Sequence, residues 1–272
     1  MKIATIARDA EHSPQMQTND AAILACVEKE LAAAGHEVHR ISPAELSCNK
    51  YDIVVHMSRT TATLQLLEEA EARGCIVLNS PTAVRNCSRT TMVHILQENN
   101  IPQPPFTTGS NLCLAQYPCW VKKGNGWSTA DGDVTFAPDK ENAAAAVERI
   151  KKKHCCDTVV CKHIAGDIVK FYGVGNTFFT HSYPQPGKTK FNLEAINGTP
   201  QHHPFDKESL ARIASEAARA LGLTIFGGDA IITPQGEIFI IDINDFPSFS
   251  AVREQAAAQI AKTVINTKQK SE

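Results

Sequence analysis

The sequence has no apolar run approaching the roughly twenty residues that a membrane-spanning helix needs, so no membrane partner is expected. Its short apolar opening, MKIATIARDA, meets a charge at Arg8, too early for the core of a secretory signal. Neither charge dominates: 27 Lys+Arg against 29 Asp+Glu give a formal net charge of −2. No overall field therefore draws the chain to nucleic acid or anionic lipid, and any phosphate binding must come from local clusters. There is no Cys-x-x-Cys pair, and the nine cysteines are an odd number. A disulfide framework or a zinc site is disfavoured, and reduced thiols in the cytoplasm are the expectation. Cys155, Cys156 and Cys161 are expected to be buried and inert rather than a redox group. The chain also lacks Gly-x-Gly-x-x-Gly, internal repeats and low-complexity tracts. It carries no dinucleotide fingerprint and no signal of oligomeric state.

What is present is an ordinary globular composition, 43% hydrophobic and 21% charged over 272 residues. From Lys2 to Leu78 strand and helix patterns alternate, with strands at Lys2–Ala7, Glu37–Ile41, Tyr51–His56 and Cys75–Leu78. Helices are expected over Asn19–Ala34, ending at Gly35, and Thr61–Arg73. That rhythm predicts a parallel sheet covered on both faces. After an Asn79-Ser80-Pro81 turn and a helix over Arg89–Glu98, the prolines of Ile101–Pro105 favour extended chain. Strands at Tyr117–Lys122, Asp133–Ala137, Thr158–Ile164, Ile168–Gly173 and Thr177–Ser182 then read as one antiparallel sheet, interrupted by a helix over Pro138–Lys151. A helix over Lys207–Leu221, strands at Ile225–Ile232 and Glu237–Ile243 and a helix over Ser250–Lys268 close the chain.

The last two strands carry the chemistry. They are strongly apolar, joined at Pro234-Gln235-Gly236, and interrupted by Asp229 on the first and by Asp242 and Asn244 on the second. Residues two apart on a strand share a face, so Asp242 and Asn244 project together and Asp229 can lie near them across the hairpin. Two carboxylates and an amide oxygen are hard ligands suited to Mg²⁺, which keeps its other positions for water and phosphate. A merely solvated polar face is the plainer alternative, but strands this apolar should be buried, and a buried, unpaired carboxylate is costly.

Gly227-Gly228-Asp229, followed by Ile241-Asp242-Ile243-Asn244-Asp245-Phe246-Pro247, resembles the metal-binding hairpin of the ATP-grasp superfamily. In the Asp-Ile-Asn-Asp-Phe-Pro-Ser-Phe form seen here it is most similar to inositol tris/tetrakisphosphate kinases. Val77–Arg85, Ser88-Arg89, Ile101-Pro102, Pro105-Phe106, Val159–Ile164 and Val169–Gly175 follow the same order. The resemblance implies an ATP-grasp fold, α/β and α+β, with an N-terminal parallel α/β (pre-ATP-grasp) domain. The boundaries it suggests are a Rossmann-like unit at 1–86, a small lobe at 87–164 and a C-terminal lobe with the metal hairpin at 165–272.

By the same resemblance, ATP and Mg²⁺ are the cofactors and the acceptor is a small molecule. Adenine would lie between two sheets against a hinge at Cys161, Lys162, His163 and Ile164, met mostly by backbone groups. Lys122 would reach the phosphates, with Lys123 pointing the other way, and Arg89 would begin the helix leading into the ATP-binding body. Gly124 and Gly126, in the segment 124–129, resemble the loop that covers the triphosphate, where glycine lets backbone N–H groups approach oxygen closely. Lys170 resembles a catalytic lysine near the transferred phosphate, and Lys188 and Lys190 a basic substrate-side segment. Two departures bear on the acceptor. Met57 stands after His56 where the inositol kinases carry a basic residue, and the 124–129 segment lacks their histidine. The expected function is therefore a carboxylate–amine ligase working through an acyl phosphate. A small-molecule kinase is the alternative, and a non-catalytic nucleotide-binding protein the third reading.

Overall fold

A computed structural model describes residues 1–13, 16–48, 50–127, 130–184 and 196–269. Its N-terminal sheet consists of β1 (Lys2–Ile6), β2 (Glu37–Arg40), β3 (Ile53–His56) and β4 (Ile76–Leu78). They are paired in parallel in the order β2-β1-β3-β4. Alternate side chains go to opposite faces. Ile3, Ile53 and Val55 pack with Leu24 and Val27 of α1 (Gln17–Ala33), whereas Ala4, Ile6 and Val54 pack with Leu64 and Leu67 of α2 (Thr61–Ala72). The Thr60 hydroxyl caps α2 by accepting the Thr63 amide. A further helix, α3 (Pro81–Asn86), stands where only a turn is expected. Ser80 caps it and Pro81 takes its first position, the usual start chemistry read too narrowly as a turn.

The five strands expected in one antiparallel sheet belong to two. One contains β5 (Phe106–Thr108), β6 (Cys119–Lys123), β7 (Val134–Ala137) and β8 (Thr158–Lys162), in the order β5-β8-β6-β7. It is backed by Ala143, Ala146, Val147 and Ile150 of α5 (Lys140–His154). The other contains β9 (Asp167–Val174), β10 (Phe178–Ser182), β11 (Ile225–Ile232) and β12 (Ile238–Asp245), in the order β10-β9-β11-β12. Local alternation marks strands without saying which of them pair. The chain changes sheets at Gly166, whose φ of 159° and whose closeness to the Ile232 carbonyl, 2.3 Å from where a Cβ would sit, admit no side chain.

Met92 and Leu96 of α4 (Arg89–Glu98) and Leu210, Ala214 and Ala217 of α6 (Lys207–Leu221) cover one face of this second sheet, against Phe171, Phe226 and Ile243. The C-terminal helix α7 (Arg253–Gln269) lies along α1. Its Ala257, Ile260 and Val264 share one core with Ile23 and Leu24 and with Val174, Ile225, Phe246 and Phe249. That core fuses the parallel sheet to the ends of β9, β11 and β12. Buried Asn79 stitches the same seam: its side-chain amide donates to the Ile225 carbonyl at 2.7 Å, and its oxygen accepts the Thr224 and Ile225 amides at 2.8 and 2.9 Å.

The cysteine expectation holds only in part. Cys161 is buried and Cys156 is half-buried, but Cys155 is exposed. It ends α5 in a left-handed conformation with φ of 49°, a cap outside any strand. No helix among the described residues is long and apolar enough to cross a membrane.

Candidate functional site

The hairpin β11–β12 pairs Asp229 with Asp242, and β9 pairs Lys170 with Asp229. Directly paired residues share a face, so Lys170, Asp229 and Asp242 form one cross-strand row, with Asn244 two residues further on the same face. Lys170 Nζ donates to Asp229 Oδ1 at 2.8 Å, and the Asn244 amide donates to Asp242 Oδ2 at 3.1 Å. The Asp229 charge raises the Lys170 pKa against the opposing effect of burial. Both partners stay partly open, with 38% and 24% of their side chains exposed.

The register shifts by one residue between Asp229 and Ala230, leaving Ile241 as an extra residue on β12. This bulge lets Ile240 turn into the core beside Ala230 while Asp242 faces the site, although the two are only two positions apart. The unpaired Ile241 carbonyl accepts Lys122 Nζ at 2.9 Å. Among the described residues no cluster of three or more His, Cys, Asp or Glu could hold a metal. Asp229, Asp242 and the Asn244 oxygen fit a hard cation that keeps water and phosphate oxygens among its ligands, rather than a cage made only of protein.

Beside this row lies a narrow cleft between the two antiparallel sheets. Lys122, Val159 and Cys161 line it from one sheet and Ile240 and Ile241 from the other, with Arg89, Met92 and Val93 of α4 at its base. The cleft has about 290 Å³ of space when its open mouth is included. Arg89 is buried and donates to the Lys123 carbonyl at 3.3 Å. Lys122 and Lys123 diverge, the latter reaching the Trp127 carbonyl at 3.2 Å.

At the hinge, the amides of Lys162 and His163 are already bonded to the carbonyls of Pro105 and Pro118. Contacts from these two residues to a base would fall to their other groups. His163 Nδ1 accepts the Trp120 indole N–H at 3.1 Å, and burial lowers the His163 pKa, so the ring is held neutral behind Cys161. Ile164 follows, outside any strand. The two loop glycines differ. A Cβ on Gly124 would lie 2.4 Å from Thr90 Oγ1, and its amide donates to the Asp157 carbonyl, so its role here is close packing against α4. Gly126 has φ of 61° and open space around it. Ser128 and Thr129 of the same segment lie outside the described residues, as do Lys188 and Lys190.

Solved structures sharing this architecture include D-alanine–D-alanine ligase from Bacillus anthracis complexed with ATP. The match has a TM-score of 0.75 at 13% identity and covers 100% of this chain and 98% of that one. A RimK domain protein ATP-grasp from Sphaerobacter thermophilus matches with a TM-score of 0.70 at 19% identity, over 97% and 100% of the two chains. The chain has the ATP-grasp fold. The D-alanine–D-alanine ligase from Coxiella burnetii is similar to the same degree, with a TM-score of 0.70, 13% identity and coverage of 100% and 97%. No family model and no curated protein matches the sequence.

Within the ATP-grasp frame, one group of residues escaped the sequence reading. At the carboxyl ends of β1 and β3, Arg8 and Arg59 converge on Asp245 at the end of β12. The three side chains are 4%, 9% and 1% exposed. Burial raises the Asp245 pKa, but Arg59 and Arg8 outweigh it and hold the carboxyl below its usual range. Asp9 accepts hydrogen bonds from the Ser58 hydroxyl and from the Arg59 and Thr60 amides. Burial likewise opposes ionisation at Asp9, and the hydrogen bonds from His12, Arg59, Ser58 and Thr60 overcome it. The only sequence sign of this group was Asp245 following Asn244, since its partners come from the other end of the chain.

Proposed function

We propose that the chain is a Mg-ATP-dependent carboxylate–amine ligase acting on a small-molecule acceptor through an acyl phosphate. The observation that carries the reading is the row of Lys170, Asp229 and Asp242, with Asn244 beside it, adjoining Ile241, which lines a cleft together with Lys122. In this reading residues 87–164 supply the cleft's small lobe, residues 165–272 the metal-bearing lobe, and residues 1–86 the acceptor side. A bound Mg²⁺ would neutralise the developing negative charge on the phosphates and orient them for in-line attack. Asp229, Asp242 and the Asn244 oxygen would hold it. Lys122, whose nearest partner is the neutral Ile241 carbonyl, keeps its charge available for a phosphate oxygen. Lys170 exchanges its bond to Asp229 for the transferred phosphoryl group. The apolar walls from Val159 and Ile240 keep water from the base side of the cleft. The same fold in D-alanine–D-alanine ligases, and the absence of the two basic groups noted at Met57 and in the 124–129 segment, support a carboxylate over a polyol acceptor.

The motif likeness to inositol phosphate kinases favours the second reading, phosphorylation of a hydroxyl, and the product separates the two. ADP release should be followed across carboxylate, amine and polyol panels with hydroxylamine present. A ligase gives a hydroxamate as ADP appears. A stable phosphate ester accumulating one-for-one with ADP would overturn the ligase reading. Asp242→Asn should abolish turnover in a folded protein, and Lys122→Ala should weaken ATP binding itself. Normal ADP release by folded Asp242→Asn would remove the metal assignment, and ATP binding without turnover on any panel would favour a non-catalytic nucleotide-binding protein.

A further inference from the structure

Trp127 lies three residues beyond Gly124, yet its ring packs against residues from the N-terminal part of the chain. The Arg59 guanidinium carbon sits 4.3 Å from the ring centroid, and the His12 ring meets it edge-on with centroids 5.7 Å apart. Trp127 Nε1 is buried with no hydrogen-bond partner among the described residues, where the ring's contacts are those of its face and its edge. The Trp127 carbonyl is held from behind by Lys123 Nζ.

Arg59 is equally fixed. Its backbone amide donates to Asp9 Oδ2 at 2.7 Å, its Nε to Asp245 Oδ1 at 2.8 Å, and one terminal nitrogen to the Asp245 carbonyl at 3.2 Å. One guanidinium thus lies over the ring of the segment after β6 and donates from its nitrogens to the end of the strand bearing Asp242 and Asn244. Asp245 follows directly on Asn244. Stacking on an aromatic face while donating in a fork along the edge is geometry that guanidinium provides and ammonium does not.

We propose that Arg59 and Trp127 are a positioning pair, which seats the triphosphate cover on the parallel-sheet unit and ties it to the strand bearing Asp242 and Asn244. The pair holds Trp127, three residues after Gly124, against the parallel-sheet unit and, through Arg59, against Asp245. The proposal rests on the reading of Gly124–Trp127 as part of that cover. Nothing in it requires either residue to touch the nucleotide.

The experiment measures binding of the non-hydrolysable analogue AMP-PNP with Mg²⁺, and of adenosine, by calorimetry on the full chain. The variants are Arg59→Lys, Trp127→Ala, Trp127→Phe and the double variant Arg59→Lys/Trp127→Ala, each checked for an intact thermal transition. Trp127→Ala and Arg59→Lys should each weaken AMP-PNP binding roughly three- to tenfold, the range expected for a cation–π contact. The double variant should be no weaker than the weaker-binding single variant, because the shared Arg59–Trp127 contact is already lost in each. Adenosine affinity should stay unchanged, since only the phosphate cover is disturbed. Trp127→Phe, which keeps the ring face and loses an N–H that has no partner among the described residues, should restore most of the affinity. Multiplicative losses in the double variant, equal losses for adenosine, or unaltered AMP-PNP binding in both single variants would overturn the pairing. If the unaltered protein bound no AMP-PNP, the functional reading itself would fall and take the pairing with it. Binding by the unaltered protein with unaffected variants would remove the pairing alone.

Discussion

β12 carries two aspartates three residues apart that live in opposite worlds. Asp245 is sealed from water and gripped by Arg8 and Arg59, with its carbonyl also engaged. Asp242 is half-buried beside the cleft-lining Ile241, and its carboxylate accepts the neutral Asn244 amide. The first arrangement leaves no bonding capacity for a ligand and costs much to disturb. The second leaves carboxylate lone pairs unspent where solvent and a cation can reach them. A carboxylate's partners, rather than its presence in a motif, separate a structural charge from one poised for chemistry.

The sharpest way to break this contrast is Asp245→Ala. It would remove the carboxylate shared by two buried guanidinium groups, leaving Arg8 with Asp20 and the Phe246 carbonyl, and a loss of about 3–5 kcal/mol is expected in urea unfolding. A loss below about 1 kcal/mol, the level of an exposed ion pair, would erase the distinction. Next comes the neutral part of the same seam. Asn79→Ala removes three hydrogen bonds and leaves the Thr224 and Ile225 amides without this partner, while the Ile225 carbonyl keeps the Phe246 amide at 3.1 Å. Each such buried group costs roughly 1–3 kcal/mol, so a loss on the order of 3 kcal/mol should follow, and unchanged unfolding would contradict the joint.

Asp9 sharpens the contrast through pH. Its folded pKa is depressed, so the stability it contributes is present above its unfolded value of about 3.9 and is lost as pH falls through the folded value. Asp9→Asn should therefore unfold more easily than the parent at pH 7, and the gap should narrow on going down to pH 3. A gap that is constant between the two, or that widens in acid, would contradict the assignment. The smallest effect belongs to Asp242→Asn, whose stability should stay within about 0.5 kcal/mol of the parent even as turnover disappears. A large destabilisation would make Asp242 structural after all.

Much of the local structure was legible. The strand at Ile225–Ile232 and the helix at Lys207–Leu221 fall where periodicity and capping place them. The spacing of Asp242 and Asn244, with a Pro-Gln-Gly turn before them, put both on one face opposite Asp229. These features depend on residues a few positions apart, and backbone geometry fixes what such neighbours can do. The division of the antiparallel strands into two sheets was not legible, because alternation is the same whichever neighbour a strand has. Nor was the bulge at Ile241 that frees the carbonyl for Lys122, since one extra residue leaves no mark in an apolar run.

The exposed cap at Cys155 was hidden for a related reason: an apolar side chain was read as core when its backbone conformation was ending a helix. The sequence alone thus determined most of the elements, their order and the hairpin with its polar face, but not the helix at Pro81–Asn86 or the strand at Phe106–Thr108. Tertiary structure decided which charges are spent and which are free. Arg8 meets Asp245 across 237 positions and Arg59 meets it across 186. At such separations the pairing is set by how the sheets dock, which no local pattern records, because burial and charge pairing are properties of the packed whole.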